Sequence, residues 1–133
     1  MAENHPSHGR LLNRFNAIGP YLRKPQSNPT CYFFDCLSEC ADVQLEPEQR
    51  EFYGWWMKLI VVDASQLSFE YNYDFGFYDQ QGQWLEHVIP ERFQQSVQQT
   101  LTDFYGKLIE ELGQLNISIR PSPDLAPSEV LAA

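Results

Sequence analysis

The sequence predicts an α+β fold in a single domain: an antiparallel sheet of about four to five strands covered by a long C-terminal helix, with a short helix at the N-terminus. Two periodicities and one size argument carry that prediction. Between 67 and 77, Leu67, Phe69, Tyr71, Tyr73, Phe75 and Phe77 alternate with Ser68, Glu70, Asn72, Asp74 and Gly76, the pattern of a strand buried on one side. Between 93 and 112, Phe93, Val97, Leu101, Phe104, Leu108 and Leu112 recur every three or four residues, which draws one apolar stripe along a helix. The chain has 133 residues and is 43% hydrophobic, enough for one self-sufficient core and too little for a second domain.

Residues 1–8, rich in His, Pro and Ser, are expected to form a flexible arm, and residues 9–120 the globular body. From Gly9 onward, Leu11, Phe15 and Ile18 take the i, i+4 and i+7 positions of a helix that stops at Gly19-Pro20, with Arg10 and Arg14 on its wet face. Pro25 to Pro29 is a turn-rich connection. Residues 31–37, with part of 38–45, and then 51–62 are dense in aromatic and β-branched side chains and are predicted as strands. The alternating strand turns at Asp79-Gln80-Gln81-Gly82, where Gly supplies a positive φ, and Trp84 to Val88 returns beside it. Pro90 suits the first turn of the long helix, Gly113 is its expected stop, and 115–119 reads as a short last strand. Pro121, Pro123 and Pro127 mark 121–133 as an expected flexible tail.

Charge narrows the function. Nine Lys and Arg against eighteen Asp and Glu give a net charge of −9, the wrong sign for a protein that holds phosphate backbones with its own cations. The first 24 residues nevertheless carry Arg10, Arg14, Arg23 and Lys24 against Glu3 alone. An acidic body with one basic end keeps a protein soluble and suits steering toward a partner of mixed charge. No cationic stretch followed by an apolar one opens the chain, and no run approaches the roughly 20 apolar residues that span a bilayer. The odd count of three cysteines points to free thiols in a reducing compartment. A cytoplasmic protein without membrane contact is expected.

Catalytic chemistry finds little support. Cys31, Cys36 and Cys40 are spaced too widely for close-paired zinc ligands, and His5, His8 and His87 do not complete the set. Pleating would put Cys36 and Cys40 on one face and Cys31 on the other. A cysteine nucleophile would have only His87 in the folded part as its base. Asp35, Glu39 and Asp42 fit a solvated edge, and the seven glycines are scattered rather than gathered in a phosphate loop. The expectation is a protein with no catalytic residues, no cofactor and no metal; a small cysteine-dependent hydrolase or a generic interaction module is the alternative.

The segment Arg50 to Met57 stands apart. Regular pleating puts Tyr53, Trp55, Met57, Leu59 and Val61 on one side and Phe52, Trp56, Ile60 and Val62 on the other, so both sides are apolar. Either the strand is buried on both faces or one face is a recognition surface, since exposed Trp, Tyr, Phe and Arg make binding hot spots. Gly54 leaves room for a bulge that would bring Trp55 beside Phe52. Parity alone does not choose which Trp points out.

Four strings then resemble those of a known family. Phe15-Asn16-Ala17-Ile18-Gly19-Pro20-Tyr21-Leu22-Arg23, Phe33-Phe34-Asp35-Cys36-Leu37 with Cys40, Arg50-Glu51-Phe52-Tyr53-Gly54-Trp55-Trp56-Met57 and Tyr71-Asn72-Tyr73-Asp74-Phe75-Gly76 are similar, in order and over about residues 5–120, to the Crl family of sigma factor-binding proteins. The resemblance implies a transcription activator that binds the stationary-phase sigma factor, sigma-S, and favours its assembly with core RNA polymerase without recognising a promoter sequence. It implies contacts with sigma domain 2 and the β′ clamp, made by a protein expected to be a monomer. It also implies sigma-binding roles for Tyr21, Arg50, Phe52 and Trp55: Arg50 pairing with an acidic group, the three rings filling an apolar pocket. Tyr53 and Trp56 would then belong to the core.

Overall fold

Two amphipathic surfaces, the alternating strands and the striped helix, bury each other and so fix the architecture. The structure is a computed structural model and describes residues 6–63 and 67–131. Its helices are α1 (His8–Asn16) and α2 (Glu91–Gln114), and its strands are β1 (Cys31–Cys40), β2 (Phe52–Asp63), β3 (Ser68–Tyr78), β4 (Trp84–Glu86) and β5 (Ser118–Pro121). The strands lie in the order β1-β2-β3-β4, all antiparallel, and β5 joins β3. β5 runs parallel to β3, so the sheet is mixed. The reason is the path of the chain: after β4 runs back against β3, α2 carries the chain to the end of the sheet where β3 begins, so β5 enters beside Ser68 and runs with β3, opposite to β4.

The inner face packs under the helices. Tyr32 and Phe34 of β1, Trp55, Met57 and Leu59 of β2, and Phe69 and Tyr71 of β3 are buried there together with Val97, Leu101, Phe104, Leu108 and Leu112 of α2. Five residues of the predicted stripe are thus core, and Phe93, in the first turn, is half-buried. α1 inserts Leu11 and Phe15 into the same core, where the Phe15 ring lies 5.1 to 6.3 Å from those of Tyr32, Phe34 and Phe69.

Boundaries shift where local chemistry outweighs periodicity. α1 begins at His8 because the Ser7 hydroxyl accepts the Arg10 N–H at 3.1 Å and caps it. His8 therefore belongs to the helix, and its Nδ1 meets the Tyr32 hydroxyl at 2.8 Å; residues 1–5 of the expected arm lie outside the described residues. Arg14 pairs with Glu111 and donates to Gln114 Oε1 at 3.0 Å, tying α1 to the end of α2. Gly113 does not stop α2. The reversal falls on Asn116, whose positive φ of 56° lets the Ile117 N–H return to the Leu112 carbonyl at 3.0 Å. Gly82, with φ 78°, does serve the hairpin turn.

Residues 121–131 of the expected flexible tail make defined contacts with β3 and the core. The Ser122 N–H donates to the Tyr71 carbonyl at 2.9 Å, the Leu131 N–H donates to the Tyr71 hydroxyl at 2.8 Å, and the Tyr73 hydroxyl donates to the Glu129 carbonyl at 2.6 Å. Leu125 and Leu131 pack against the core. Proline content pointed to disorder, but these prolines end β5 and open the short 3-10 turn Pro127–Glu129, while the leucines between and beyond them supply the anchors.

Candidate functional site

β2 keeps a regular pleat through Arg50 to Met57, and that decides the orientation of its rings. Trp55, Met57 and Leu59 are wholly buried beneath α2, while Phe52 and Trp56 are half-exposed on the opposite, outer face with Lys58, Ile60 and Val62. The irregularity allowed at Gly54 occurs instead in β1, where the register slips between Leu37 and Glu39. Gly54 is required for a different reason: a Cβ there would stand 1.9 Å from the Cys36 carbonyl oxygen.

The expectation that Trp55 faces outward and Trp56 inward is thus reversed. With no register shift in β2 before Val61, the odd positions from Tyr53 to Leu59 follow the core. The Trp55 indole N–H donates to the Thr100 hydroxyl of α2 at 2.9 Å, so the polar atom of this buried ring is satisfied by the helix above it. Tyr53 does lie on the inner side, its ring 5.5 Å from that of Phe93.

The four expected contact residues separate into two groups. Tyr21 stacks on Trp55 at 5.8 Å and 25°, and both rings lie 5.0 Å from Phe104. Tyr21 is held there because the turn after α1 runs along the free edge of β1, with the Asp35 N–H donating to the Tyr21 carbonyl and the Arg23 N–H to the Phe33 carbonyl. Burial pushes the Tyr21 hydroxyl above its ordinary pKa, with Cys36 and Asp103 adding to the effect. Arg50 and Phe52 stand at the start of β2. The Arg50 guanidinium donates to the Leu45 carbonyl at 3.0 Å and the Val43 carbonyl at 3.1 Å, closing the 41–51 loop. That loop is acidic and exposes Val43 and Leu45.

The outer face carries an aromatic layer with no helix over it among the described residues. Phe33 stacks on Trp56 at 6.3 Å, Trp84 meets Trp56 edge-on at 6.0 Å, and Lys58 Nζ sits 5.3 Å from the Trp56 ring. Leu37, Ile60 and Val62 extend this layer and are exposed. Trp84 lies against Gly76, where an added Cβ would stand 2.4 Å from its Nε1. Arg23 pairs with Asp35 at 2.6 Å beside the layer, yet burial still pushes the Asp35 carboxyl above the ordinary aspartate value. Phe33, Tyr78 and Trp84 escaped sequence reasoning. Gly76 was the available signal, since a glycine inside a strand often marks a ring or backbone lying close above it.

The cysteines follow the β1 irregularity. Cys36 pairs with Trp55, whereas Cys40, beyond the slip, pairs with Phe52 and so lies on the other face, contrary to the shared face expected from unbroken pleating. All three are free thiols, and burial pushes the Cys31 thiol up, the reverse of nucleophile activation. Among the described residues no group of three or more His, Cys, Asp or Glu is placed to hold a metal ion, and no helix is long and apolar enough to cross a membrane.

Comparison with known proteins agrees with the family resemblance of the sequence strings. The profile of the family described as "Sigma factor-binding transcriptional regulator Crl" matches residues 1–129. A sigma factor-binding protein Crl of Photobacterium profundum is 48% identical over 103 residues, covering 77% of this chain and 75% of that protein. That of Vibrio vulnificus is 47% identical over 109 residues, 82% of each chain, and that of Vibrio cholerae serotype O1 is 39% identical over 123 residues, 92% of this chain and 93% of its own. The chain belongs to the Crl family of sigma factor-binding transcriptional regulators.

Proposed function

We propose that this protein binds the stationary-phase sigma factor, sigma-S, through its domain 2, touches the β′ clamp of core RNA polymerase, and promotes assembly of the two, activating sigma-S-dependent transcription as a cytoplasmic monomer. Family membership over nearly the whole chain is the observation that carries this reading. Arg50 is the polar anchor: two of its N–H groups hold the 41–51 loop, and the remaining donors are left for a carboxylate of the partner. Phe52 and Tyr21, both half-exposed, supply apolar contact. Trp55 acts from beneath by fixing the Tyr21 ring.

The mechanism is linkage. A protein that binds the assembly-competent form of sigma-S better than its other forms raises the population of that form by its differential affinity, and a few kcal/mol of preference suffices. No promoter sequence need be read, as the net charge of −9 favours.

Co-purification with a panel of sigma factors is the test. Selective retention of sigma-S is expected, and Arg50→Ala or Phe52→Ala should abolish it while circular dichroism shows the fold retained. Equal retention of all sigma factors, or a shift of promoter DNA in a gel without polymerase, would overturn the proposal.

A further inference from the structure

One edge of β3 is shared by two strands that do not meet. β5 pairs with it from Ser68 to Tyr71 and β4 from Gly76 to Tyr78, so Asn72–Phe75 has no strand partner on that side among the described residues. Parity fixes which groups point there. The Tyr71 carbonyl faces this edge, since it accepts the Ser122 N–H, and Tyr73 and Phe75, two and four residues on, present their backbone groups the same way. Their N–H groups are held by the preceding side chains, Asn72 Oδ1 at 2.9 Å and Asp74 Oδ1 at 2.8 Å.

The gap is open space rather than a plugged edge. A cavity of about 530 Å³ lies on one side, walled by Phe75, Ile89 and Val97. A second of about 360 Å³ lies on the other, walled by Tyr73, Leu101 and Val130. Asp74, Phe75 and Gln98 border both. A strand edge that is merely protected is filled, twisted away or covered; this one keeps two hollows beside a half-buried stretch of main chain. The surroundings are acidic: Glu86 borders the first cavity and Glu129 the second, and neither has a lysine or arginine among its lining residues. Asp74 lines the first cavity with Glu86 and the second with Glu129, and burial, with Glu86 and Glu129 adding to it, pushes its carboxyl above the ordinary aspartate value.

We propose that the Asn72–Phe75 edge is a docking slot for a short extended segment of a partner protein, added as a strand beside β3, whose lysine or arginine side chains meet Asp74, Glu86 and Glu129. Strand addition supplies main-chain hydrogen bonds for affinity and pockets for alternate side chains. The gap spans roughly 13 Å at about 3.3 Å per residue, room for three or four residues of the incoming chain. Its carbonyls replace the Asn72 and Asp74 side chains on the Tyr73 and Phe75 N–H groups, and the released Asp74 carboxylate turns to the incoming cation. The slot uses none of Tyr21, Arg50, Phe52 or Trp55, so its loss and the loss of sigma-S retention are separable.

A fluorescein-labelled hexapeptide alternating lysine and valine, titrated into the full-length protein and followed by anisotropy, is the probe. Saturable binding is expected, with amide shifts in NMR spectra centred on Asn72–Phe75. A glutamate–valine peptide should not bind, and Asp74→Lys should weaken the basic peptide by about tenfold or more. The same basic peptide methylated on alternate backbone nitrogens should also lose about tenfold or more, because it no longer completes the ladder. That comparison uses the unaltered protein and stands even where Asp74→Lys does not fold. Absence of saturable binding, equal affinity of the methylated peptide, or shifts centred on the outer aromatic face would each overturn the proposal.

Discussion

Arg50 and Trp55 show how two residues five positions apart serve different ends. Arg50 commits part of its guanidinium to the Leu45 and Val43 carbonyls, so its substitution loosens the 41–51 loop as well as removing a charge. Trp55 is wholly buried and bonded to Thr100, so Trp55→Ala should cost about 3–5 kcal/mol in chemical denaturation, while Trp56→Ala, on the half-exposed outer face, should cost about 1 kcal/mol. Equal costs would contradict the assigned pleat. The identity of these residues was plain in the sequence; their orientation was not, because both faces of β2 are apolar and a glycine between them permitted either parity. Asp74 allows a test by pH. Its folded pKa is raised above the ordinary 3.8, so the folded state binds the proton more tightly than the unfolded state. Its ionisation therefore lowers stability as pH rises from about 3.8 through the raised value. Asp74→Asn keeps an oxygen for the Phe75 N–H and should flatten that part of the stability profile, which urea unfolding across the acid range would show; an unchanged slope would count against the shift.

Among the elements, α2 and β3 were legible because each has a long, unbroken period, and 3.6-residue and 2-residue repeats cannot be confused over such lengths. The irregularity in β1, the parallel entry of β5 and the docked tail were not. Each depends on contacts distant in sequence: β1 slips opposite Gly54, β5 finds β3 only after the α2 crossover, and the tail is held by Tyr71 and Tyr73, some fifty to sixty positions earlier. Ending the chain at Pro121 should therefore lower stability by about 2–3 kcal/mol, through lost burial of Leu125 and Leu131 and three hydrogen bonds. Thermal unfolding would register this as a lower melting temperature, and an unchanged one would mean the tail is not anchored.

At the scale of the whole molecule, one sheet separates two kinds of surface. The inner face is sealed by α1 and α2, and the outer face keeps its rings half-exposed. The arrangement of the candidate sigma-binding residues fell only partly within reach of sequence reasoning: the strings named one strand and one turn, but the division into Arg50 with Phe52 at one place and Tyr21 over Trp55 at another follows from the sheet's pleat and the path of the turn after α1. Family membership rests on the whole chain and is insensitive to that division.

The clustering of Trp55 with Tyr21 and Phe104, while Trp56 and Trp84 lie on the opposite side of the sheet, gives the molecule two spectroscopically distinct sets of indoles. The sealed indole emits at shorter wavelength and is shielded from iodide, and the half-exposed Trp56 emits to the red and is quenched. A partner that covers the outer face alters the quenchable light alone, whereas one that disturbs the seat of α2 alters the other, so the protein's own emission reports which side of the sheet has been engaged without any label attached.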